Sequence, residues 1–289
     1  MNLFPHEELA DVDDPHLNYC LWPYTPQPFS HEQLRSISLL NKSFALSSVE
    51  NVFHDLTASI SHAIGKFKTV WGVKWNGREF EWELYFYDYA RRDRQVSVTS
   101  LFHAIQDVLP LGSGISIDES LPYFMFSFNL SPSWSPRAQI EVVNLYLGNP
   151  GSYVSSGLSY KITRKGREFA NLYSFFNPEK HREEIIGKLE SSAFGDPTSH
   201  LAKLHWLQLS ECDTICIANK ESCDTIYYSG INVRQLLYFF NALDYPADLI
   251  EYLSLRRDLY HHLLFDVGMD FITDRSGVRL LKSGFYGVF

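Results

Sequence analysis

Apolar and polar residues alternate with a period of two in five pairs of segments, each pair joined by a polar loop. The clearest pair is KFKTVWGVKWNGREFEWELYFYDY, residues 66–89, and the others lie at 123–149, 152–176, 213–230 and 263–289. A period of two is the signature of extended strands, and two such runs joined by a loop read as an antiparallel hairpin. Tight connections of this kind exclude a parallel β-α-β sheet. Five hairpins supply ten strands, and ten antiparallel strands can close on themselves, enclose a space and remove exposed edges.

Between the hairpins the apolar spacing changes to that of helices. Val49, Phe53, Leu56, Ile60 and Ala63 fall on one face of a helix over 47–64, where Ser47 and Glu50 have capping-box spacing. Val98, Leu101, Phe102, Ile105 and Val108 repeat the pattern. Asn177 followed by Pro178 opens a helix to about Ser192, and Val233, Leu236, Leu237 and Phe240 mark another. Pro246 starts a helix carrying Leu249, Ile250 and Leu253, and residues 31–42 are a candidate for a first short helix. Helices with one apolar stripe must lie on a sheet face, and all of them are expected on the same one. Only the loop Gly148-Asn149-Pro150-Gly151 separates the second and third hairpins.

The opposite sheet face reads differently. In the returning strand of the first hairpin, Phe80, Trp82, Leu84 and Phe86 form an apolar row, while Glu79, Glu81, Glu83, Tyr85 and Tyr87 form the other. Leu158, Tyr160 and Ile162 oppose Gly157, Ser159 and Lys161 in the third hairpin. In the last, Asp266, Gly268 and Asp270 share the inner row, with Lys282, Gly284 and Tyr286 on the final strand. Mixed tyrosine, asparagine, glutamate and lysine suits a wet chamber holding a partly aromatic ligand better than a sheet face that simply meets water. Lys161 and Lys282 are the lysines that alternation places inward, against the carboxylates of Glu81, Glu83, Asp266 and Asp270. The fold class is therefore α+β, a ten-stranded antiparallel barrel of five hairpins surrounded by helices. Residues 1–44 read as a proline- and aromatic-rich arm or lid with a short helix, and residues 45–289 as the barrel domain.

Composition narrows the functional classes. Aromatic residues make up 15% of the 289, enough to line a chamber with rings as well as to fill a core. A net charge of −9 without a basic stripe argues against nucleic acid. No apolar run is long enough to span a bilayer, and the acidic start MNLFPHEELADVDDPH lacks the pattern of a secretion signal, so the expectation is cytoplasmic. Cys20, Cys212, Cys216 and Cys223 fit no paired metal-binding spacing and read as free thiols. The two imidazoles of His261-His262 point to opposite faces and cannot share a metal. Asp11-Val12-Asp13-Asp14 reads as a solvated acidic turn, and the basic run 90–94 as a solvated strand cap or a phosphate-binding rim. No nucleophile elbow, P-loop or dinucleotide fingerprint occurs.

Helix–strand–strand–helix units with an aromatic, polar inner face resemble the ABBA-type aromatic prenyltransferases. Short local echoes accompany the pattern: Asn171-Leu172-Tyr173-Ser174-Phe175-Phe176, Val143-Asn144-Leu145-Tyr146 and the closing Lys282-Ser283-Gly284-Phe285-Tyr286. The resemblance implies a barrel whose lumen binds an isoprenoid diphosphate and an aromatic acceptor, in secondary metabolism. It implies that Lys282, with Lys161, binds the diphosphate, Asn144 assisting. Tyr85, Tyr173 and Tyr286 would line the path of the allylic cation, and Glu81 or Glu83 would orient or deprotonate the acceptor. No resident cofactor is expected, and Mg2+ alongside the diphosphate is left open. The alternative is a ligand-binding barrel of the same fold that does not bind diphosphate.

Overall fold

In the computed structural model, the described residues are 4–14, 18–19, 23–24, 32–87, 96–133, 138–150 and 154–289. A two-residue ladder, β1 (Asn18–Tyr19) with β2 (Pro23–Tyr24), lies in the N-terminal arm, where the proline density predicts no regular structure. Ten further strands form the barrel: β3 (Thr69–Trp75), β4 (Phe80–Tyr87), β5 (Tyr123–Leu130), β6 (Val143–Gly148), β7 (Ser156–Thr163), β8 (Gly166–Phe176), β9 (Thr214–Lys220), β10 (Asp224–Asn232), β11 (Leu264–Asp274) and β12 (Gly277–Val288). Every strand is antiparallel to its neighbours in sequence, and β12 pairs with β3 to close the barrel.

Seven described helices surround it: α1 (Ile37–Leu46), α2 (Glu50–Ile64), α3 (Val98–Ile105), α4 (Arg182–Glu190), α5 (Trp206–Leu209), α6 (Val233–Ala242) and α7 (Ala247–Arg256). The main core is the annulus between helices and barrel. The apolar row of β4 faces into it, and Trp82 packs edge-on against Phe44 of α1 and Phe53 of α2, with centroids 5.3 and 5.0 Å away. A second apolar cluster, Val70, Tyr87, Met125 and Tyr146, is separate from this annulus. The arm is fastened at residues 4–14: Leu9 bridges Leu34, Arg256 of α7 donates to buried Glu7 at 2.7 Å, and Arg35 donates to Asp14 at 2.6 Å. Asp14 is thus an ion-pair partner and not the freely solvated residue the acidic run suggests. The basic run 90–94 and Cys20 lie outside the described residues.

Three helix starts differ from the sequence pattern. The first helix is Ile37–Leu46, later than 31–42. Its successor begins at Glu50 with Val49 at the cap and no side-chain cap bond, because Ser47 closes the preceding helix and Ser48 turns to a positive φ of 56°. Ala63 is consequently exposed. Asn177 caps a turn, accepting from the Glu179 and Lys180 amides, and the helix proper waits until Arg182. The starts of α3, α6 and α7 fit the pattern. Ser97 and Asn232 form complete capping boxes at α3 and α6.

Candidate functional site

Alternation along each strand, once the barrel closes, aims one row of every strand into the lumen. At one level of the lumen stand five tyrosines, one from every second strand: Tyr85 on β4, Tyr146 on β6, Tyr173 on β8, Tyr227 on β10 and Tyr286 on β12. Their rings form a girdle, with centroids 6.1 Å apart for Tyr227–Tyr286, 6.1 Å for Tyr286–Tyr85, 6.4 Å for Tyr85–Tyr146 and 5.9 Å for Tyr146–Tyr173.

Each tyrosine lies directly across from a small residue on the following strand. The pairs are Tyr85 with Ser127, Tyr146 with Ser159, Tyr173 with Ala218, Tyr227 with Gly268 and, across the closure, Tyr286 with Gly72. Large and small side chains therefore alternate around the circumference, which is how five rings fit at one level of a ten-stranded barrel. Burial raises the pKa of all five phenols, so they stay neutral hydrogen-bonding groups.

The girdle separates two compartments. One, of about 290 Å³, is polar and lies toward the hairpin turns. Four lysines line it, Lys74, Lys161, Lys220 and Lys282, from β3, β7, β9 and β12, together with the carboxylates of Glu83, Glu221 and Asp270. The other compartment, about 60 Å³, is mostly apolar, and Tyr87, Phe124 and Phe175 extend the aromatic lining there.

Glu83 is the hub of the polar side. One carboxylate oxygen accepts from the Lys74 ammonium and from Tyr85 Oη at 2.8 Å, the other from Ser127 Oγ and from Asn144 Nδ2 at 3.3 Å. Burial works against its charge, yet the Lys74 ammonium and the bonds from Lys74, Ser127 and Tyr85 outweigh that and hold its pKa at about 2. A similar arrangement stands across the lumen. Asp270 accepts from Lys220 Nζ at 2.8 Å and Thr225 Oγ1 at 2.6 Å. Burial opposes both charges of this pair as well, and their mutual attraction prevails: the lysine's pKa is raised and the carboxylate's lowered.

The sequence-predicted residues fall as follows. Lys161, Lys282, Asn144, Tyr85, Tyr173 and Tyr286 all line the polar compartment. Glu83 lies inside it, whereas Glu81 sits nearer the rim and accepts from Lys282 at 3.2 Å. Lys161 is exposed and has no carboxylate partner among the described residues. Lys74 and Lys220 were not singled out by the sequence reading. The signal for each was present: Lys74 continues the row Val70, Gly72, and Lys220 the row Cys216, Ala218.

Cys216 and Cys223 are buried free thiols and Cys212 is partly buried, its own pKa pushed up to about 12 by burial. Among the described residues no group of three or more His, Cys, Asp or Glu is placed to hold a metal ion. No described helix is long and apolar enough to cross a membrane. No family model matches the chain, and a search of curated proteins finds no match.

Proposed function

We propose that the barrel is an aromatic prenyltransferase-like enzyme that takes an isoprenoid diphosphate into its polar compartment. The observation that carries this reading is the convergence of Lys74, Lys161, Lys220 and Lys282, from four separate strands, beside the tyrosine girdle. A diphosphate is recognised by several point charges that need no common plane, which lysines on different strands supply. The isoprenoid chain would then lie against tyrosine faces, whose quadrupoles stabilise an allylic cation as the carbon–oxygen bond breaks. The leaving diphosphate stays among the lysines.

Both Glu83 oxygens are fully engaged in the free site, so the carboxylate could accept from an acceptor N–H or O–H only once a present partner such as Lys74 is drawn away. Held at about 2, it is a weak base in the free site. A diphosphate that draws Lys74 away would remove the strongest influence lowering that pKa, so binding the donor substrate would prepare the base.

A second reading has its own support. Lys74, Lys220 and Lys282 are each bonded to a carboxylate, Glu83, Asp270 and Glu81 respectively. Interior pairs of this kind suit a barrel that binds an uncharged or zwitterionic ligand. Calorimetric titration with dimethylallyl and geranyl diphosphate separates the two. Saturable binding that weakens about tenfold or more in Lys282→Met and in Lys161→Met supports the transferase reading. Absence of saturable binding by the intact protein would sink it, and binding unaffected by either substitution would remove the assigned lysines.

A further inference from the structure

The β7–β8 hairpin runs on past its neighbour in the barrel wall. β9 ends at Lys220, opposite Asn171, so residues 166–170 of β8 pair with β7 on one edge and with no described strand on the other. A register shift leaves Ala170 unopposed at the foot of this extension. An open edge presents a row of backbone N–H and C=O groups to any extended chain that lies beside it.

The side chains around that edge run against the character of the molecule. Residues 161–168 hold four cations, Lys161, Arg164, Lys165 and Arg167, against the one carboxylate of Glu168, in a chain of net charge −9. All four cations are exposed, and none forms an ion pair among the described residues. Asp118 acts on Arg167 only at longer range. Beside them Phe169 is 57% exposed and meets the Tyr160 ring edge-on at 5.9 Å, and the Arg167 guanidinium lies over that same Tyr160 ring at 5.3 Å. Charge alone would guard the edge against pairing, whereas an exposed ring adds apolar area that a neighbour can cover. A second copy of this chain is disfavoured as that neighbour, because two basic edges repel each other.

We propose that this edge is a docking strip for an acidic, extended peptide segment, added as a strand where β9 stops. Backbone hydrogen bonds supply the pairing, Phe169 covers an apolar side chain, and Arg164, Lys165 and Arg167 select carboxylates. The strip ends at Lys161 and Asn171, which both line the polar compartment, so a docked segment leads to its mouth. Arg164, Lys165 and Arg167 do not line that compartment, and the proposal does not rest on the transferase reading. Diphosphate titration probes the lumen lysines, and a failure there would leave the docking result standing.

The test measures binding of a labelled peptide of alternating glutamate and valine with one phenylalanine, by fluorescence anisotropy on the intact protein. Its counterpart with lysine in place of glutamate and a single-stranded oligonucleotide serve as comparisons. The acidic peptide is expected to bind about tenfold or more tightly than either. It is also expected to slow amide hydrogen exchange within residues 166–170. The double variant Arg164→Glu, Lys165→Glu, altered only at exposed positions of the hairpin tip, is expected to lose the preference for the acidic peptide. Equal binding of the two peptides, oligonucleotide binding as tight as the acidic peptide's, protection confined to other strands, or a preference unchanged in the double variant would each overturn the proposal. If that variant does not fold, the exchange map of the intact protein decides.

Discussion

Gly72 lies so close to the ring of Tyr286 that a Cβ built on it would stand 2.6 Å from the ring's Cε1 and 3.4 Å from Tyr85 Cε2. The first separation is shorter than any van der Waals contact, and both rings are held in the girdle with little freedom to retreat. Gly72→Ala should therefore overpack the lumen and destabilise the fold by about 1–3 kcal/mol. Gly268 stands in the same relation to Tyr227, at 2.5 Å from Cδ1, and Gly268→Ala should behave alike. Chemical denaturation of both variants measures this. Loss of less than about 0.5 kcal/mol in both would mean that the girdle is loose.

Gly187 is the contrasting case. It lies exposed within α4, and a Cβ there would meet nothing within 4 Å. The backbone is helical, so alanine removes entropy from the unfolded chain and exposes less backbone to water. Gly187→Ala should stabilise the protein by about 0.5–1 kcal/mol. A neutral or destabilising result in the same denaturation assay would contradict the helical assignment at that position.

The girdle also shows where sequence stops being informative. Period-two alternation separates Phe80, Trp82 and Leu84 from Glu81, Glu83 and Tyr85, because the two faces meet different surroundings and each residue type reports its own. Within a hairpin the loop fixes the register, so both strands can be read together. The five tyrosine–small pairs lie instead between hairpins: Tyr286 and Gly72 are brought together only by closure of the barrel. No local signal specifies that register, and so Gly72 reads as an unremarkable strand glycine.

Lys74 and Lys220 escaped for a related reason. Both occupy the last inward position before a turn, where a lysine normally ends in water, and only the closed lumen converts that position into a chamber wall. Helix starts were misread at Ser47 and Asn177 because each residue has the right chemistry for a cap and uses it on a turn.

Trp82 and Ser43 join the barrel to α1. The indole Nε1–H donates to Ser43 Oγ at 2.8 Å, the hydroxyl donates onward to Leu40 O at 2.6 Å, and both residues are fully buried. Ser43→Ala would leave the indole donor without an acceptor in a dry interior, at a cost of about 1–3 kcal/mol. Trp82→Phe removes the donor as well as indole volume. The double variant should therefore lose less than the sum of the two single losses, by about 1 kcal/mol. Strict additivity would show that the hydrogen bond contributes nothing to stability.

Glu83 makes stability depend on pH in a defined direction. Its pKa in the folded protein is about 2, below the ordinary value of 4.5, so folding favours the carboxylate. The stabilisation is fully present above the unfolded-state pKa and is lost as pH falls through the range toward the folded-state value, amounting to about 3 kcal/mol in all. Asp270, also lowered, contributes with the same sign. Glu83→Gln keeps the shape but leaves the Lys74 ammonium, whose side chain is 16% exposed, without its carboxylate. The variant should lose about 2 kcal/mol or more near neutrality, a penalty characteristic of half-broken buried pairs. That gap between parent and variant should narrow steadily once pH falls below about 4.5, because the parent's unfolded state then binds a proton at Glu83 that its folded state resists, and the variant has no such group. Denaturation curves for both proteins from about pH 6 down to about pH 2.5 measure the gap directly. A gap that stays constant across that range would mean that Glu83 is not held as a carboxylate by Lys74, and would also remove the basis for its preparation as a base by a bound diphosphate.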